Sequence, residues 1–349
     1  MAANRAITAP GDSSAELPNT RSWIDHITDA LDRLPIPLWV SYALLIVAVA
    51  VWINAINWIA GRYAPGTFDA RESGYAVYGV YMLAMVHYLN RVAGSKMEAF
   101  RPALDDPVEY RRLRDELTTL PAREAMLAGL GGVAFVALLY ASEGPDAGIG
   151  ALSPLVLVGR FVVEGVTFAL LAVLIYHTLR QLLLVSRIHG RASRIDLFEP
   201  GPLNAFSQLT ARTGIGLLVL MGYSYVIDPS ITIVGVGLTA LIIVVAAAAF
   251  VLPLVGMHSR MVAEKERLQL EADRRLKASF TQLHRSVDER DLTVADALNK
   301  SLESLQLERE ALARMPTWPW QPTTFRGFVS ALVIPIVLWY IIRILERYL

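Results

Sequence analysis

The chain has no cysteine among its 349 residues. That excludes disulfide staples, thiolate metal sites and cysteine nucleophiles, and it leaves the redox compartment unassigned. Net charge is also missing. The 32 Lys and Arg balance the 32 Asp and Glu, so the balance gives no reason to expect nucleic acid as a partner. Only six histidines occur, no two of them at i, i+4, and no metal-ligand spacing is visible. No catalytic or cofactor motif stands out, so neither an enzyme nor a bound cofactor is expected. Residues 1–36 are polar and show no basic-then-apolar leader with a cleavage site. The first apolar run is expected to serve as its own insertion signal.

Apolar residues dominate what is there, at 54% of the chain, with a mean hydropathy of +0.43. The excess is concentrated in seven runs: 37–60, 74–90, 123–141, 154–180, 213–228, 231–255 and 326–345. About 20 apolar residues cross a hydrocarbon core roughly 30 Å thick as a helix. Inside lipid the backbone must satisfy itself, so helices are required. The expected fold is all-α: a polytopic membrane protein with seven transmembrane helices.

Lys and Arg set the orientation. Segments 91–122, 186–212 and 257–323 are rich in them, whereas loop 61–73 has only Arg62 and Arg71, and the loops near 142–153 and 228–231 have none. Basic short loops stay inside, which places the N-terminus inside and the C-terminus outside. Four parts follow: a tail with an amphipathic helix (1–36), a six-helix bundle (37–256), a cytoplasmic helical hairpin with an elbow (257–322), and a final span (323–349). A plasma-membrane location and a lipid bilayer as partner go with this reading.

Ser22 followed by Asp25 reads as a capping box. Trp23, Ile24, Ile27, Leu31 and Leu34 recur at helical spacing, giving a short helix either on the inner membrane face or packed on the cytoplasmic layer. In the third run, Ala125 with Gly129 and Ala128 with Gly132 form two small-xxx-small pairs, which let helices approach closely. Tyr75, Tyr78 and Tyr81 suit an interfacial anchor, helix packing or a polar cavity. The segment from Ile195 to Pro202 reads as a non-helical connector or binding loop. The fourth and sixth runs continue past any bilayer thickness, the sixth through a kink at Pro253.

Leu268, Ala272, Leu276, Phe280, Leu283 and Val287 form one apolar stripe. Leu298, Leu302, Leu305 and Leu312 form another on a following helix that Thr293 and Asp296 would cap. Both stripes need burial, either on each other or against neighbours, and the second supplies candidates for an oligomer anchor. The run Pro316-Thr317-Trp318-Pro319-Trp320-Gln321-Pro322 then forbids a continuous helix. Its tryptophans fit a membrane–water interface.

Charges within the apolar runs are few. Arg160 and Glu164 share one face of the fourth run, and they read either as an ion or substrate path or as an internal salt bridge. His87 and His177 sit near inner ends of their runs and read as interfacial or hydrogen-bonded. In the last run Ser330, Val333, Val337, Tyr340, Ile341 and Arg343 are the pore and gate candidates. An apolar stripe such as Val333, Val337 and Ile341 can gate by dewetting, while arginines near an outer mouth can equally snorkel to the interface.

These parts resemble, in topology, the seven-transmembrane ion channel superfamily of insect odorant and gustatory receptors. The matching features are the extended helices 154–185 and 231–288, helix 294–315, the elbow Pro316–Pro322 and the span from Arg326. The stretch 326–349 departs from the aromatic and glutamine signature of the insect receptors. The resemblance implies a tetramer anchored by the cytoplasmic helices, a pore lined by the last span and a small-molecule ligand. The function expected is a homo-oligomeric ion channel open to ligand gating. The alternative is a membrane sensor or scaffold docking a partner through the hairpin. An intramembrane enzyme or carrier using Arg160, Glu164 and His177 has the least support.

Overall fold

The structure, a computed structural model, describes residues 21–142, 154–193, 195–227, 233–289 and 292–348. The tail 1–20, the loop 143–153, the turn at Asp228–Pro229–Ser230 and the break at Arg290–Asp291 lie outside the described residues. Among the described residues the fold is helical, apart from an isolated bridge between Arg21 and Pro121. The helices are α1 (Trp23–Asp32), α2 (Leu38–Ile59), α3 (Ala70–Phe100), α4 (Pro107–Thr118), α5 (Ala122–Ser142) and α6 (Pro154–Gly190). After these come α7 (Pro200–Leu203), α8 (Ala205–Ile227), α9 (Ile233–Asp288), α10 (Leu292–Arg314) and α11 (Pro322–Tyr348).

All seven apolar runs fall on helices. Among the described residues, four helices are long and apolar enough to cross a membrane by length and composition: Leu38–Ile59, Ala122–Ala141, Pro154–Gly190 and Ile243–Asp288. Their outer faces carry exposed apolar side chains such as Leu44, Val47, Leu127, Leu130, Val158, Val162, Val244 and Leu252. Patches of that extent suit lipid rather than water. The run 74–90 falls short of this measure because it is short and diluted by Tyr75, Tyr78, Tyr81, Tyr88, His87 and Asn90.

Helix ends follow local chemistry. The Ser22–Asp25 capping box forms as expected, with Asp25 N donating to Ser22 Oγ and Ser22 N donating to the Asp25 carboxylate. Asp69 and Asp106 cap α3 and α4 more simply, their carboxylates accepting from Glu72 N and Val108 N. Gly61 follows α2 at φ 71°, the left-handed conformation that closes helices at low cost for glycine. α3 runs ten residues beyond its apolar stretch, because no proline follows until Pro102. α10 starts at Leu292, so Thr293 falls inside the helix rather than capping it. α9 is one helix of 56 residues and passes through Pro253.

α5 and α6 share the most extensive helix–helix interface, with α9–α10, α8–α9, α3–α8 and α2–α3 next. The glycine pairs explain the first of these. A Cβ on Gly132 would lie 2.3 Å from the Phe168 carbonyl oxygen, so only a bare backbone fits there. Tyr81 Oη of α3 donates to Gly216 O of α8, Tyr223 Oη of α8 donates to Gly74 O of α3, and Tyr78 stacks on Tyr223, so tyrosines of both helices join them. The main core lies at the basic end of the bundle. There Leu89, Met97, Phe100, Leu117, Leu120, Ile188, Leu203, Phe206 and Met257 meet. A second, small cluster joins Ala211, Phe250, Leu254 and Phe328.

Candidate functional site

The elbow between α10 and α11 is clamped to α9 by rings. His258 of α9 stacks on Trp318, with centroids 3.9 Å apart and planes 8° apart. Trp318 stacks on Trp320 at 4.4 Å, and Trp320 faces both Phe250 and Phe325 at 5.5 Å. Phe250 in turn stacks on Phe328 of α11 at 4.3 Å. His258 Nδ1 donates to Thr317 O. Lys265 Nζ donates to Ala313 O and Met315 O, 2.8 Å each, and satisfies carbonyls at the end of α10. The prolines break the helix, as expected from sequence. The tryptophans, however, are half-buried in a ladder that couples α9 to α11.

α11 rests on α8, where Phe328 covers Gly214; a Cβ there would lie 2.5 Å from the ring. The opposite face is open. Ser330 is exposed and its hydroxyl donates to Arg326 O. Val333, Val337 and Tyr340 are 48%, 46% and 61% exposed. Positions 330, 333, 337 and 340 alternate in steps of three and four, so they share one stripe. Ile341 and Arg343 lie on α11, but their side chains fall outside the described residues.

In the hairpin, Leu302 and Leu312 are buried and Leu298 and Leu305 half-buried. Arg309 pairs with Asp273 across the two helices at 3.1 Å. Leu302 and Leu312 are therefore buried within one chain, where α10 packs along α9. The segment from Ile195 to Pro202 buries Leu197, and Pro200–Leu203 forms a helical turn, so this connector is partly helical and partly core.

Arg160 Nε and Glu164 Oε1 are 2.8 Å apart within α6, on a face that is 43% and 26% exposed at the two side chains. The intrahelical partner is supplied as the spacing requires.

His87 stands in a chain of four groups. Its Nδ1 lies 2.8 Å from Tyr42 Oη and its Nε2 lies 3.0 Å from Asp32, whose other oxygen accepts from Arg91 at 2.7 Å. These groups come from α1, α2 and α3. Nearby, the buried Asp25 carboxylate accepts from Ser22 N, Ser22 Oγ and Leu120 N. Sequence reading missed that Asp25 and Asp32 dock α1. The signal was their spacing, which with Asp29 places three carboxylates along one side of a short helix.

His189 ends α6 beyond its apolar run. Its ring packs among Phe100 and Phe206, and its Nδ1 donates to Pro253 O. Arg260 donates to its carbonyl. Burial holds this imidazole down at about 4; the bond to Pro253 opposes that shift and the Arg260 charge adds to it. A histidine with a folded value below the unfolded 6.5 stabilises the fold fully above 6.5 and progressively less as pH falls towards 4. The expected loss across that window is on the order of 3 kcal/mol. Unfolding midpoints at pH 7 and pH 5 should differ in the native chain, and the difference should shrink in His189→Gln.

The elbow ladder, the open stripe of α11 and the His87 chain are the places where this molecule departs from plain helix packing. Among the described residues no group of three His, Asp or Glu side chains is placed so as to hold a metal ion. No family model, no curated protein and no solved structure matches this chain.

Proposed function

We propose that the chain is a homo-oligomeric ion channel of the plasma membrane, with its N-terminus inside, its C-terminus outside and α11 facing the conduction path. The observation that carries this reading is the open stripe of α11. Ser330, Val333, Val337 and Tyr340 stand on the face turned away from α8, where a neighbouring subunit or a pore would meet them. The aromatic ladder supplies the mechanical link. A shift of α9 and α10 would be passed through Trp318 and Trp320 to Phe325 and Phe328, and so to the pore helix. The topological resemblance to the insect receptor superfamily supports a tetramer and a small-molecule ligand among the outer halves of the helices.

Ion flux into liposomes carrying the purified protein tests this. Val337→Asp places a charge on the apolar stripe, and flux should rise as the dewetted constriction becomes wet. Absence of flux from both proteins, with the fold intact, would end the channel reading. The alternative of a scaffold is favoured by one observation: Leu270, Phe280 and Leu307 are exposed on the hairpin, and such residues suit a docked partner.

A further inference from the structure

We infer that α1 is an in-plane membrane helix, its Trp23–Ile27–Ala30 face immersed in the lipid leaflet at the basic end of the bundle. Three anchors fix how it lies. Its start is held beside the start of α5, where Arg21 bridges to Pro121 and the Asp25 carboxylate accepts from Leu120 N. Its end is held on α3, where Asp32 meets His87 and Arg91. The chain then turns through Pro35 and Pro37 and enters α2 at Leu38. Leu120, His87 and Leu38 each stand within three residues of the basic-side end of an apolar run. A helix pinned at three points on one membrane boundary lies along that boundary. Its ten residues span about 15 Å there.

The helix docks with its polarity inverted. Ile24, Asp25 and Thr28 face the protein and are buried. Asp25 and Asp32 are engaged there, and Asp29 pairs with Arg21. The outward stripe is Trp23, Ile27 and Ala30, with His26 at its edge, and it carries no carboxylate. Trp23 and Ile27 are 37% and 38% exposed. A helix that faces water keeps its charges outside, whereas this one turns them inward. The apolar surface runs on along the chain into exposed Leu34, Ile36 and Trp39. Trp23 also sets the depth. A Cβ on Gly129 of α5 would lie 3.8 Å from Trp23 Cζ2, and Gly129 stands roughly 10 Å along the axis from the start of α5. Its neighbours Met126, Leu127 and Leu130 are exposed on the outer face of that spanning helix. An in-plane helix sinks its apolar face about 5–10 Å into the boundary between headgroups and acyl chains, which is the depth that Trp23 reaches. Lipid is the occupant this continuity selects, because the stripe of α1 and the outer face of α5 form one apolar surface. The inference rests on the apolar helices meeting lipid and stands whether or not the chain conducts ions.

The absence of cysteine makes the test direct, because a single spin label at Ile27→Cys reports without background. Molecular oxygen concentrates in hydrocarbon, whereas a nickel chelate stays in water. In proteoliposomes, the ratio of oxygen to nickel collisions at position 27 should be several-fold above that at Ser304→Cys, which is exposed on α10. It should approach the ratio at Leu130→Cys on the outer face of α5. Ala30→Cys repeats the reading at an exposed site, where the substitution removes nothing from the core. A ratio at the level of Ser304→Cys would put the stripe in water and overturn the inference. A label shielded from both reagents would place a second copy or another protein on the stripe and overturn it equally.

Discussion

Gly132→Leu should abolish the folded protein, and Gly132→Ala should destabilise it strongly. The first added carbon meets Phe168 O at 2.3 Å, Phe168 C at 2.6 Å and the Ala169 Cα at 2.8 Å. All three are backbone atoms of α6 and cannot rotate away as a side chain would. The two helices must separate, and α5–α6 is the largest helix–helix interface in the fold. In lipid, such an interface depends on close van der Waals packing, since tails are as apolar as leucine. Overpacking a tight core costs about 1–3 kcal/mol and occasionally more. A backbone clash of this depth belongs at the upper end for alanine and beyond it for leucine. Gly131 is the internal control. A Cβ there meets nothing within 4 Å, so Gly131→Ala should be neutral or slightly stabilising, by about 0.5–1 kcal/mol of helix propensity. Thermal unfolding followed by size-exclusion in detergent would separate the pair. Equal effects of the two alanine variants would show that the α5–α6 approach is not as close as described.

Phe250→Ala should release α11 while leaving the rest of the bundle folded. Phe250 is 1% exposed and touches Trp320 in the elbow and Phe325 and Phe328 on α11 beyond it. Truncating a buried phenylalanine costs about 3–5 kcal/mol. The loss is local here, because the second core cluster contains few buried members besides Phe250 and is separate from the main core. Hydrogen exchange should accelerate across 317–332 and remain unchanged across α3 and α6. If α11 transmits movement of the hairpin to a pore, the same variant should also uncouple flux from any change imposed on α10. Unchanged exchange at the elbow would show that Lys265 and the Phe328–Gly214 contact suffice to hold it.

Much of this architecture was legible before folding. Proline and apolar run length set the boundaries of α2 and α5 within a few residues, because breaking a helix is a local event, whereas α3 ran ten residues past its run and α8 began eight before it. The Ser22–Asp25 cap needs only four consecutive residues, and it formed as the pattern required. α10 packs along α9 and buries Ala272, Leu302 and Leu312, while Phe280 and Val287 of the first stripe stay exposed. The glycine pairs of α5 gave the close approach, although the sequence did not name α6 as the partner.

What remained hidden depends on residues far apart in the chain. Asp32, Tyr42, His87 and Arg91 lie on three helices, so no local spacing could join them. Trp318 and Trp320 suit a membrane interface by composition, yet folding stacks them on His258 and Phe250, about 60–70 residues earlier. His87 and His177 look alike in sequence: one histidine near the inner end of an apolar run. Tertiary packing gives the first two partners and the second none within the described protein, and no residue next to either one signals the difference. The helices, their order and their apolar faces could be read locally, since these follow from backbone hydrogen bonding and solvent partition along a single segment. Which polar groups meet emerged on folding alone, because that depends on how helices rotate and cross when their ridges interlock.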